Sequence, residues 1–160
     1  MNTNTLIAYY SMGGQTRAIA NELRDAIGAD IEEIEEPHPR HGPIGVMRAL
    51  FDAVARREPP IQPITHEPGR YQVLLIGGPV WAGRMASPVR SYAKRYASTA
   101  PHVAFFCTEG GRGADTAFAD LRLLCGREPE ATLVVDAEHL SPASHRKDLS
   151  SFTQRVSTVH

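Results

Sequence analysis

Glycine-rich turns placed directly after apolar runs constrain this chain more than any other feature. The first follows Leu6-Ile7-Ala8-Tyr9-Tyr10, an unbroken apolar run that reads as a strand buried on both faces. Ser11-Met12-Gly13-Gly14-Gln15-Thr16 comes next, and then a helical pattern with Ile19, Leu23, Ala26 and Ile27 on one face. A helix start leaves backbone N–H groups without partners and carries partial positive charge. Two glycines let the chain curl closely around an anion, and Ser11 and Thr16 add hydroxyl donors, so the turn suits a phosphate. An ordinary βα turn with a helix cap is the plainer reading of the same six residues.

The first helix, about 15–27, stops at Gly28, a natural C-terminal residue. Ile31-Glu32-Glu33-Ile34 is a short strand carrying charge, which suits a sheet edge. Pro37, Pro39, Gly42 and Pro43 bracket His38 and His41 in a loop. Residues 44–57 have helical periodicity, with Met47, Leu50, Phe51 and Val54 at i, i+3, i+4 and i+7, the stripe expected to face the core. Pro59, Pro60, Pro63 and Pro68 forbid regular structure in the connector that follows. The strand Val73-Leu74-Leu75-Ile76 runs into a second glycine-rich loop, Gly77-Gly78-Pro79-Val80-Trp81-Ala82-Gly83. Ser87-Pro88 then caps and starts a helix with Val89, Tyr92, Ala93 and Tyr96 inward. A strand from Val103 to Cys107 ends in a third loop, Thr108-Glu109-Gly110-Gly111-Arg112-Gly113, and a helix to Cys125 buries Ala117, Leu121 and Leu124. Leu133-Val134-Val135 is the last strand, and Ser141-Pro142 opens a helix with Leu149, Phe152 and Val156 on its apolar side.

Five alternations of strand and helix predict an α/β fold, a parallel sheet with helices on both faces and right-handed crossovers. With the charged second strand at the edge, the order is 2-1-3-4-5. The three glycine-rich loops all leave carboxyl ends of strands and crowd one rim of the sheet. A ligand is expected where the chain reverses direction, between strands one and three.

At 160 residues the chain reads as a single domain, 1–160, large enough for a full core. A net charge of −1 gives no bulk field to hold nucleic acid or an anionic membrane. No apolar run approaches the ~20 residues of a membrane span, and the polar start, Met1-Asn2-Thr3-Asn4-Thr5, is not a signal peptide. Cys107 and Cys125 are not spaced as a metal or redox pair, which fits a reducing, cytoplasmic setting.

Taken together and in order, the three loops resemble those of the flavodoxin family, and the likeness covers nearly the whole chain. The resemblance implies a three-layer flavodoxin-like sandwich holding flavin mononucleotide (FMN). By that resemblance Ser11, Met12, Gly13, Gly14, Gln15 and Thr16 would wrap the phosphate. Pro79, Val80, Trp81, Ala82 and Gly83 would lie along the flavin ring. Thr108, Glu109, Gly110, Gly111 and Gly113 would cover its other side and its pyrimidine edge. Gly13 departs from the pattern, because the family usually has a hydroxyl residue there. The resemblance further implies redox work. One form is an oxidoreductase that passes electrons from NAD(P)H through FMN to a quinone or other small acceptor. The alternatives are an electron carrier between protein partners and a flavodoxin-like fold that binds no flavin. Near-neutral charge and arginine beside two loops tilt the reading toward the enzyme, since carriers of this kind tend to be acidic around the flavin. Flavin sites of this type can sit at dimer interfaces, which leaves a homodimer open.

Individual residues carry competing readings. Trp81, the only tryptophan, either stacks on a flat heteroaromatic ring or plugs the edge of the core. Arg84 and Arg112 either favour a reduced, anionic flavin or are solvated surface arginines. The glycines at 77, 78, 83, 110, 111 and 113 allow close backbone approach and positive φ. Cys107 begins Cys-Thr-Glu-Gly-Gly-Arg, one residue short of the cysteine-phosphatase spacing. Cys125 reads as core. His38 and His41 after Glu35 and Glu36 make a weak metal pattern, and no catalytic side chain is implied. Glu32, Glu33, Glu35 and Glu36 read as a solvated edge.

Overall fold

The computed structural model describes residues 4–138 and 142–159. Its strands are β1 (Thr5–Tyr9), β2 (Asp30–Glu33), β3 (Val73–Trp81), β4 (Arg84–Met85), β5 (His102–Glu109) and β6 (Thr132–Asp136). Five of them run parallel in the order β2-β1-β3-β5-β6, which is the expected 2-1-3-4-5 order of parallel strands. The sixth, β4, pairs antiparallel with the end of β3, an addition the sequence reading lacked. The helices are α1 (Gln15–Ile27), α2 (Gly42–Val54), α3 (Ser87–Tyr96), α4 (Ala114–Cys125) and α5 (Pro142–Ser157). Ser141, expected to open the last helix, lies outside the described residues.

Two cores result from the period of two along each strand. Leu6, Ala8, Leu74, Ile76, Val103 and Phe105 face one way and pack with α2, α3 and α4. Ile7, Tyr9, Val73, Leu75, Ala104 and Phe106 face the other way and pack with α1 and α5. Central strands covered on both faces need apolar residues at every position, which is why β1 and β3 read as unbroken runs.

Three expectations are corrected. First, β3 does not stop at Ile76 but continues to Trp81, so Gly77 and Gly78 lie inside a strand. A Cβ on Gly77 would stand 2.3 Å from the Phe106 ring, and one on Gly78 2.6 Å from Val89 Cγ2. These two glycines make room for neighbouring side chains and do not supply positive φ. Second, Glu32 and Glu36 are buried, not solvated. Glu32 accepts the Thr65 amide and pairs with His66 Nδ1 at 2.7 Å. Third, α2 is turned the other way round. Gly45, Ala49, Asp52 and Ala53 face inward, while Met47, Leu50, Phe51 and Val54 are exposed.

The inversion of α2 has a local cause. Arg40, with no exposed side-chain surface, donates to both oxygens of Glu36 at 2.8 and 2.9 Å and to Asp52 Oδ2 at 2.7 Å. That pairing fixes the side of the helix carrying Asp52 toward the sheet, since a buried arginine is tolerated only with its counter-charges. Gly45 then lies so close that a Cβ would be 2.8 Å from the Arg40 carbonyl carbon.

Candidate functional site

The three glycine-rich loops meet. Tyr10, directly before the first, donates its amide to Gly77 O at 3.1 Å. The hydroxyls of Thr16 and Thr108 lie 2.9 Å apart and join the first loop to the start of the third. A Cβ on Gly113 would stand 2.7 Å from Gly83 Cα and 2.8 Å from Val80 Cγ1, so the end of the third loop presses on the second. Residues expected to share one rim therefore do share it.

Each loop owes its shape to particular residues. The first turns into α1 through Gly14, at φ 96°, whose amide donates to Ser11 Oγ at 3.0 Å. No side chain caps α1 and its first turn carries no acid. The amides of Gln15, Thr16 and Arg17 precede the first intrahelical bond, Ala18 N to Gly14 O at 3.1 Å. A helix start of this kind can accept an anion. Gln15 Oε1 lies 3.0 Å from where a Cβ on Gly13 would stand. The Gln15 carboxamide thus occupies the space a side chain at residue 13 would fill. Thr16 faces inward, and its hydroxyl pairs with that of Thr108.

The second loop is a hairpin. Val80 pairs with Met85 and Trp81 with Arg84, leaving Ala82 and Gly83 as a two-residue turn. Their φ values of 48° and 77° are both positive, as a type I′ turn requires. For alanine that conformation is strained. The third loop turns through Gly111 at φ 131° and Gly113 at φ 109°. Here a carboxylate already sits at the helix start, Glu109 Oε2 accepting the Ala114 amide at 2.9 Å. At the third loop one helix-start amide, that of Ala114, is already taken by a carboxylate, whereas no side chain takes those of the first.

Trp81 does not offer a ring face at the rim. Its indole is 8 % exposed, meets Tyr10 edge-on at 5.5 Å, and carries the Arg40 guanidinium 5.2 Å above it. It plugs the edge of the core. Arg84 is likewise committed, to Asp120 Oδ1 at 2.9 Å. Arg90 Nη1 lies 3.0 Å from the other oxygen of Asp120 without the alignment of a hydrogen bond. Arg112 is exposed and forms no ion pair among the described residues.

Sequence reasoning missed the buried group beside the first loop. A cleft of about 410 Å³ is lined by Ser11, Met12, Arg17, Glu36, Arg40 and His41 among others. Tyr10 closes one side by donating its hydroxyl to Glu36 Oε1 at 3.2 Å, and burial, then Glu36, raises its pKa. A buried ion pair leaves no periodic trace in sequence, so the signal was only Glu36 and Arg40 at i, i+4. Burial, then Glu109 and Asp115, pushes the Cys107 thiol up to about 12, which removes the thiolate a cysteine phosphatase needs. Among the described residues no three His, Cys, Asp or Glu side chains are grouped to hold a metal. No described helix is long and apolar enough to cross a membrane.

No family model matches the sequence, and no curated protein matches it. Solved structures do. A flavoprotein from Lactobacillus acidophilus in complex with FMN is 22 % identical, with 91 % of this chain and 97 % of that chain covered and a TM-score of 0.73. A short-chain flavodoxin associated with a bacterial microcompartment is 16 % identical, with 98 % and 99 % covered and a TM-score of 0.60. Rubredoxin oxygen:oxidoreductase from Desulfovibrio gigas is 14 % identical, with 96 % of this chain but 35 % of that chain covered, at a TM-score of 0.60. At such identities the likeness is one of architecture, and it agrees with the strand order: this chain has the flavodoxin-like fold.

Proposed function

We propose that this chain is an FMN-binding redox protein, an oxidoreductase that takes electrons from NAD(P)H and passes them to a quinone or another small acceptor. The observation that carries the reading is the uncapped start of α1, open to a dianion at the same rim where the three loops touch. The residues present fit the cofactor. The free amides of Gln15, Thr16 and Arg17 would hold the phosphate, with the Gln15 carboxamide replacing the hydroxyl that Gly13 lacks. Ser11 orients the turn by accepting the Gly14 amide. The backbone at Pro79, Val80, Ala82 and Gly83, and at Gly110, Gly111 and Gly113, would read the polar edge of the ring.

Bound there, the flavin supplies hydride and single-electron transfer, and the protein supplies orientation and tuning. Glu109 keeps a carboxylate at the start of α4, which would disfavour negative charge on a ring held nearby. Arg112 is a cation free to offset it. The strained Ala82 and the adjacent Gly83 form a turn whose peptide can reorient at modest cost.

An electron carrier is the second reading. It is favoured by the end-to-end match in length with a short-chain flavodoxin. One experiment separates these readings. Purified protein is heated, the released chromophore is identified, and the reconstituted protein is mixed with NAD(P)H and a quinone. Release of FMN with steady NAD(P)H oxidation supports the enzyme. FMN without turnover supports the carrier. Protein that is colourless and cannot be loaded with FMN rejects both.

A further inference from the structure

Helix α2 presents an apolar surface to solvent. Ile44 is 75 % exposed, Met47 70 %, Phe51 59 % and Val54 70 %, with Val46 and Leu50 close to half exposed. Isolated exposed apolar residues are ordinary, but six on one helix of 13 residues are not. They form a patch of roughly 600 Å², the upper end of what a monomer shows. The inner face of the helix is already filled by Gly45, Ala49, Asp52 and Ala53, so the outer residues have no place in this chain's own core.

Spacing indicates what covers them. Ile44, Met47, Phe51 and Val54 stand at intervals of three, four and three, the seam by which one helix packs on another. The four seam positions are uncharged, and the exposed charge of the helix, Arg48, flanks the seam one turn after Ile44. The one acid of the helix, Asp52, points inward to Arg40.

We propose that α2 is the interface of a two-fold homodimer, packed against α2 of a second copy and antiparallel to it. A surface that is its own partner needs self-complementary, uncharged content at its centre, which this seam has. Two copies would remove about 1,200 Å² from water, the lower bound for a specific interface, before any rim contacts are added. Arg48, near mid-helix, meets the middle of the second copy's helix in either direction, so the charges beyond the helix end decide direction. Arg56 and Arg57 follow the C-terminal end of the helix, with Arg57 5.0 Å over the Phe51 ring. Parallel packing would bring these arginines together; antiparallel packing holds them roughly a helix length, ~20 Å, apart. An anionic bilayer is the competing occupant of an apolar face edged by arginine. The net charge of −1 gives the chain no general attraction to one.

Sedimentation equilibrium of the intact chain tests this. The expected mass at roughly 50 µM is twice 17.5 kDa. Met47→Glu combined with Phe51→Glu should raise the dissociation constant at least about 100-fold, with an unchanged far-ultraviolet circular dichroism spectrum. Should the charged variant misfold, Met47→Ala with Val54→Ala should weaken association about tenfold or more while remaining folded. A single-chain mass for the wild type overturns the proposal, and so does a dimer indifferent to both variants. Cosedimentation of monomer with phosphatidylserine-containing vesicles, lost in Met47→Glu/Phe51→Glu, overturns it in favour of a lipid surface.

Discussion

Thr16 Oγ1 and Thr108 Oγ1 lie 2.9 Å apart, joining segments 92 residues apart in sequence. Both residues are buried, at 2 % and 3 % exposure. The bond fastens the start of α1 to the end of β5, across β3. It also gives Thr16 a structural role. From sequence, Thr16 reads only as a hydroxyl donor of the phosphate turn. Paired with Thr108, it also holds two loops in register.

Thr16→Val should therefore reduce stability, by about 1–2 kcal/mol, because Thr108 is left with a buried hydroxyl lacking its partner. Thr16→Val with Thr108→Val should recover much of that loss, since replacing both partners by apolar groups is close to neutral. Urea unfolding of the two variants measures this. Equal losses in the single and double variants would show that the hydroxyl pair is not coupled.

Gln15 should stand in for the missing hydroxyl at residue 13. Gln15→Ala should weaken FMN binding by about 1–2 kcal/mol with little change in thermal midpoint. Gly13→Ser should tighten it, since Gly13 is not in the positive-φ region and only the flexible Gln15 carboxamide must move aside. Flavin fluorescence titration gives both constants. Unchanged affinity in Gln15→Ala would place the phosphate elsewhere.

The contact between Gly113 and Gly83 should tolerate no side chain. Gly113→Ala, at φ 109° and 2.7 Å from Gly83 Cα, should destabilise by about 2–4 kcal/mol. Ala82→Asn should act oppositely, gaining about 0.5–1 kcal/mol by placing Asn-Gly in the type I′ turn. Chemical denaturation reads both. If Ala82→Asn also changes flavin affinity or potential, the strain at Ala82 belongs to the site.

Alkaline pH should unfold this protein partly through its thiols. Burial pushes both Cys107 and Cys125 up to about 12, against about 8.5 in an unfolded chain. Between those values the unfolded state releases protons that the folded state keeps, so stability falls as pH rises. It is fully present below about pH 8.5 and lost progressively toward 12. Tyr10 and Tyr92, raised chiefly by burial, add to the loss at the upper end. Cys107→Ala/Cys125→Ala should flatten the slope of stability against pH above 8.5, and native wild type should react with a thiol reagent at pH 8 only as fast as it opens.

Legibility from sequence followed physical range. Strand order, the two-faced central strands and the meeting of three loops were readable, because apolar runs and glycine-rich turns are local patterns with few ways of being satisfied. The path of β3 was not, since Gly77 and Gly78 look like loop residues until Phe106 and Val89 are seen to need their space. Nor was the role of Trp81. Its flanking Gly-Pro-Val and Ala-Gly suggested a loop, whereas Arg40 and Tyr10, distant in sequence, hold the ring inward.

By itself the chain determined its layers, its parallel sheet and the rim where three glycine-rich loops meet, because hydrophobic period and turn chemistry act over a few residues. Only the tertiary structure decided which face of α2 is buried and that the first loop is tied to β5 through a hydroxyl pair. Those outcomes depend on single long-range pairings, Arg40 with Asp52 and Thr16 with Thr108. Burial makes such a pairing strong enough to override the local pattern, and burial is a property of the folded whole.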